Sequence, residues 1–134
     1  MEHHCCDYTT VGFDEKGKYT YMRIKQKGDS DQFRMAHDKV FEIYKKEQPG
    51  RHLADTRGMG VVSLDDQKFV SQNFLPRVVE FSPNNCIKIA VLVSEDAFSK
   101  FAVESIGKKM SEMPANIQHK MFKSEEEAVG WLCA

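Results

Sequence analysis

At 134 residues the chain can bury a real core in one domain, and its 41% apolar and 29% charged residues suit a solvated globular surface. The 19 Lys and Arg nearly cancel the 20 Asp and Glu, leaving a formal charge of -1 and no basic stripe, so nucleic acid is not an expected partner. No apolar run nears the roughly 20 residues that cross a bilayer, and Met1-Glu2-His3-His4-Cys5-Cys6 lacks the regions of a secretory signal, so no membrane span and a cytoplasmic location are expected.

Residues 1–7 read as a flexible tail and 8–134 as a single domain. His3, His4, Cys5 and Cys6 are ligand types for zinc or copper, but adjacent residues wrap one ion poorly, so neither a metal nor any other cofactor is expected. The cysteines at 5, 6, 86 and 133 form no C-x-x-C pair and no disulfide framework. Cys86 reads as a small buried hydrophobe opening a strand.

Tyr8 to Phe13 reads as a strand, Asp14-Glu15-Lys16-Gly17 as a turn, and Lys18 to Lys27 as the returning strand. Its alternation sets Tyr19, Tyr21, Arg23 and Lys25 on one side and Thr20, Met22, Ile24 and Gln26 on the other. Asp31 to Lys46 then carries Phe33, Ala36, His37, Val40, Phe41 and Tyr44 at helical spacing, with Ser30 as N-cap and Pro49-Gly50 as the stop. Arg51 to Thr56 is a short strand, ending in a polar loop with Gly58 and Gly60.

Ser63 caps a second helix whose first turn holds Asp65 and Asp66, and Phe69, Val70, Phe74, Val78 and Phe81 mark its buried face. Pro76 falls inside that pattern, where a missing N–H and a steric clash predict a kink or break. Cys86 to Val93 is nearly continuous in apolar residues, as a central parallel strand requires. A third helix is expected over 96–110, then an edge-like strand from Asn116 to Phe122 and a last helix capped by Ser124. Strands alternating with helices predict an α/β fold with parallel pairing after the opening hairpin.

Three runs carry a resemblance: Leu53-Ala54-Asp55-Thr56-Arg57, Val62-Ser63-Leu64-Asp65-Asp66-Gln67, and Leu75-Pro76-Arg77. With the strand Ile87 to Val93 and the ending Phe122-x-Ser124-Glu125-Glu126-Glu127-Ala128-x-x-Trp131-Leu132, the chain from 8 to 132 resembles the bacterial STAS/SEC14 domain-containing proteins of SpoIIAA-like fold. The resemblance implies a (β/α) superhelix with a mixed, mostly parallel sheet of about five strands. Anti-sigma-factor antagonists of that fold carry a phosphorylated Asp-Ser step. Aligning Asp55 with their strand-end aspartate puts Ser63 at their Asp and Leu64 at their Ser, so the phosphoacceptor position is leucine here. SEC14-like relatives carry lipids in an apolar pocket.

Ligands of open α/β sheets gather outside the carboxyl ends of the strands. The candidate site is therefore the loop after the third strand, with Asp55, Arg57, Gly58, Met59, Gly60, Ser63, Asp65, Asp66, Gln67 and, beyond it, Arg77. Pairing of Asp55 with Arg57 or with Arg77 would make the same residues a structural loop. No G-x-S-x-G, P-loop or complete G-x-G-x-x-G occurs, and His37, His52 and His119 sit in no catalytic signature, so an enzyme is not expected. The expected function is a regulatory interaction module that binds a protein partner, or a second copy of itself, through residues 55–67. The alternative is a carrier of a small apolar ligand or lipid. A buried apolar cavity would favour the carrier, and a filled core with a flat exposed patch the module.

Overall fold

A computed structural model describes residues 2–5, 7–58, 63–94 and 116–134, with side chains from residue 7 onward. Met59 and Gly60 and the expected helix over 96–110 lie outside the described residues. Strands β1 (Glu2–Cys5), β2 (Thr9–Asp14), β3 (Tyr19–Ile24), β4 (Arg51–Asp55), β5 (Ile87–Leu92) and β6 (Ile117–Phe122) lie side by side in chain order. The five from β2 to β6 form the expected mixed sheet: β2 and β3 are an antiparallel hairpin, and β3 to β6 run parallel. Glu2–Cys5, read from sequence as part of a flexible tail, pairs antiparallel with β2 as an added edge strand.

The hairpin turns at Asp14, whose carbonyl accepts from Lys18 N–H at 2.8 Å and whose side chain accepts from Gly17 N–H at 2.7 Å. Helix α1 (Ser30–Glu47) starts one residue earlier than its sequence signal suggests. Asp29 is the N-cap, and Gln32 closes a capping box by accepting from the Asp29 N–H. Ser30 lies inside the helix, and its hydroxyl donates to Asp66 instead.

Ser63 caps α2 (Leu64–Phe69) as expected, accepting from Asp66 N–H at 3.1 Å. The helix widens into a π turn over Val70–Phe74 and continues as α3 (Leu75–Glu80), with Pro76 in the first turn. At the junction Leu75 N–H donates to the Val70 carbonyl, five residues back. Pro76 cannot donate and would clash with the carbonyl four residues earlier, and the wider turn relieves both problems without ending the helix. Helix α4 (Glu125–Leu132) begins at Ser124, as its sequence predicts.

Alternation along the strands divides the core by face. Met22, Ile24, Ile87 and Ile89 pack under Phe33, Ala36, Val40 and Tyr44 of α1 and Val70, Phe74, Leu75 and Val78 of the π-containing helix. On the opposite face Tyr19, Leu53, Ala90, Leu92 and Phe122 pack under Ala128 and Leu132 of α4. Tyr19 is thus covered by a helix, not presented to solvent. Cys86 departs from its sequence reading: it precedes β5 and is exposed, because the strand begins at Ile87.

Candidate functional site

The polar cluster around the β4 end is built from β3, β4 and α4. Parallel pairing aligns Arg23 with Asp55, both on the α4 face, and brings Glu125 of α4 to the same end of the sheet. Arg57 grips Asp55 with two donors, Nε to Oδ1 at 3.0 Å and Nη2 to Oδ2 at 2.9 Å, while its own N–H reaches Oδ1 at 3.2 Å. Arg23 adds an Nη1 bond to Oδ2 at 3.1 Å and a second to Glu125, which Arg57 also approaches at 4.0 Å. Burial raises the Asp55 carboxyl, but the Arg57 hydrogen bonds and the two guanidinium charges outweigh it and hold the group below its usual range. Two cations and two anions satisfy one another, so the cluster offers no unbalanced charge.

Gly58 follows because the chain turns tightly over the end of β3. A Cβ there would lie 2.5 Å from the Ile24 carbonyl oxygen and 2.6 Å from that of Lys25. Asp65 and Ser63 are exposed, while Asp66 and Gln67 are buried. Asp66 accepts from the Ser30 hydroxyl at 3.0 Å and faces Arg34 Nε at 3.5 Å. Arg77 belongs elsewhere: it bonds Asp38 of α1 at 2.9 Å and lies over the Phe41 ring, 4.6 Å from its centroid. The sequence-predicted residues therefore divide among a strand-end ion cluster, a helix cap, a buried acid against α1 and a separate α1–α3 pair.

The concave site lies on the other face. A cavity of about 70 Å³ sits between the sheet and the helices, bounded by Met22, Ile24, Ala54 and Ile89 below and by Phe33, His37 and Phe74 above. His52, Thr56, Val70, Leu75 and Val91 complete it. Three of these, Val70, Phe74 and Leu75, belong to the π turn or its junction with α3. A π turn displaces the following side chains from α-helical register, a feature often found at functional sites. The α1 stripe supplies His37, and strand alternation supplies His52, which faces the same side as its β5 neighbour Ile89.

Both histidines are buried, and both are held by Nδ1. His37 Nδ1 lies 2.8 Å from the Phe33 carbonyl, and His52 Nδ1 lies 2.9 Å from the Thr20 hydroxyl. Burial lowers the His37 ring to about 4 and the His52 ring to about 3, so both are neutral near pH 7. Phe74 stands edge-on to both, with centroids 4.8 Å from His37 and 5.9 Å from His52. A carbonyl only accepts, so His37 carries its hydrogen on Nδ1 and its lone pair on Nε2.

Sequence reasoning placed His37 on the apolar stripe of the first helix and His52 within the strand from Arg51 to Thr56, but did not join them. The available signal was the two-residue alternation that turns His52 and Ala54 to one face and Leu53 and Asp55 to the other. Among the described residues no group of three His, Cys, Asp or Glu side chains could hold a metal ion. No described helix is long and apolar enough to cross a membrane. Comparison with protein-family models, curated proteins and solved structures found no match in any of the three.

Proposed function

We propose that this chain is a non-catalytic small-molecule-binding domain of SpoIIAA-like arrangement, whose ligand occupies the histidine-lined cavity beneath the π turn. The observation that carries this reading is the cavity itself, a half-open apolar pocket between the sheet and the helices with two neutral imidazoles in its wall. Protein interiors are ordinarily close-packed, so an apolar recess between sheet and helices is a departure from ordinary packing. Its size favours a compact ligand over an acyl chain, since a cavity of about 150 Å³ is what accommodates benzene. The wall also supports binding over catalysis. Among the described residues its one hydroxyl, that of Thr56, donates to the Leu92 carbonyl at 2.9 Å, and no serine or cysteine lines the space.

Native mass spectrometry of tag-free protein purified gently from its own host tests this reading. A reproducible small extra mass that disappears on denaturation is expected, and it should be missing from Ala54→Leu, which fills the cavity. Recovery of ligand-free protein alone, or bound only to another protein, would overturn it.

A second reading keeps residues 55–67 as a surface for a protein partner. One observation favours it: Leu64, in the first turn of α2, is 69% exposed, a large apolar side chain standing in solvent beside Asp65. Pull-down from host lysate with wild type and Leu64→Ser tests it. A partner retained equally by both would remove the loop from consideration.

A further inference from the structure

The hydrogen-bond state of the cavity wall limits what can enter, if the cavity is the ligand site proposed above. His37 has committed its only hydrogen to Phe33, leaving Nε2 as a pure acceptor. Among the described residues no hydrogen bond reaches the Nε2 of His37 or of His52. A ligand that covers this acceptor has to supply a donor to it. The rest of the wall is almost wholly apolar, with Met22, Ile24, Phe33, Phe74 and Ile89 around the imidazoles. An anion would face the His37 lone pair, and a cation would have no anion among the described wall residues.

We infer that the cavity takes a compact, uncharged, hydroxyl-bearing group of about three to four heavy atoms, whose O–H donates to His37 Nε2 and whose carbon body packs on the apolar wall. The size follows from the volume: about 70 Å³ is near half of the space that holds the six carbons of benzene. The polarity follows from the tautomer that Phe33 imposes. A ligand that only accepts would bury its oxygen against another acceptor and leave Nε2 unsatisfied.

Three probes separate this inference from the reading on which it rests. Xenon needs volume and no polar partner, so a shifted ¹²⁹Xe resonance reports the cavity alone. 2-Propanol and acetone have the same four heavy atoms, but only the alcohol donates. Titration of wild-type protein, followed through the imidazole ¹⁵N resonances, should show 2-propanol binding about tenfold more tightly than acetone, with the His37 Nε2 resonance moving as it accepts. Xenon binding with acetone equal to 2-propanol, or with Nε2 unmoved by the alcohol, would overturn the inference and leave the cavity reading standing. Absence of both xenon and alcohol binding would overturn both.

Discussion

The two faces of the sheet are made by alternate residues of the same strands, yet they are finished differently. Under α4, Leu53, Ala90, Leu92, Ala128 and Leu132 are wholly buried, an apolar packing with its charges confined to the rim at Arg23, Asp55 and Glu125. Under α1 and the π-containing helix, comparable positions carry His52 and His37 and leave a cavity. Burying a polar ring in an apolar wall costs desolvation, and a recess beside it forgoes packing contacts. One face resembles a core selected for cohesion, and the other a core that keeps room. The comparison locates the candidate site better than the polar loop does, whose charges are largely spent on one another.

The sharpest way to break this contrast is acid. In the folded chain burial holds both imidazoles neutral down to about 4 for His37 and about 3 for His52, whereas unfolded they take up protons near pH 6.5. Stability is therefore level above pH 6.5 and falls as pH drops from there toward 4, the unfolded chain binding up to two more protons. Between pH 7 and 5 the loss should be roughly 4 kcal/mol, read from urea midpoints at each pH. A variant with His52→Gln should lose about half of that slope. A flat profile over the same range would mean that the rings are not buried as described.

The α4 face should fail under truncation instead. Leu53→Ala empties a wholly buried position, and about 3 kcal/mol should disappear in urea or thermal unfolding at pH 7. A loss below about 1 kcal/mol would show that this face is as loosely filled as the other.

Much of this architecture was legible from local rules. The hairpin, the α1 stripe, the Ser63 and Ser124 caps and the apolar β5 each follow from periodicity or capping chemistry that acts within a few residues. Pro76 announced a disturbance, but whether the helix would break, kink or widen depended on the neighbours that Val70 and Phe74 found in the core. The cavity has no sequence signature, because it is space left where non-adjacent elements fail to meet. Asp55 and Arg57 were paired at a distance of two residues, within reach of sequence reasoning. Arg77 was not: its partner Asp38 lies on another helix, and only the packing of α3 on α1 brings them together.

The rim of the α4 face gives a smaller effect. Asp55→Asn keeps the shape of the side chain but removes the charge that Arg57 and Arg23 share. Both guanidinium groups are more than a third exposed and Glu125 remains beside them, so water and that carboxylate compensate in part. A loss of about 1 kcal/mol at pH 7 is expected, shrinking as pH falls below the ordinary carboxylate range, where the wild-type advantage itself is lost. A loss of the size expected for Leu53→Ala would place the ion cluster among the structural supports of the fold.

The finest test lies one residue from Leu53. Ala54 faces the other side of the same strand, where it lines the cavity, between Met22 and Val91 in the strand register. Ala54→Val adds two methyl groups at a position where β-branching suits a strand, and space is present to receive them. Insertion into a filled core costs about 1–3 kcal/mol, whereas filling a void recovers contacts that the surrounding side chains lack. Stability within about 0.5 kcal/mol of wild type, or slightly above it, is expected, with xenon binding reduced. A loss near 2 kcal/mol would mean that the wall around Ala54 is already closed, and the contrast between the two faces would collapse.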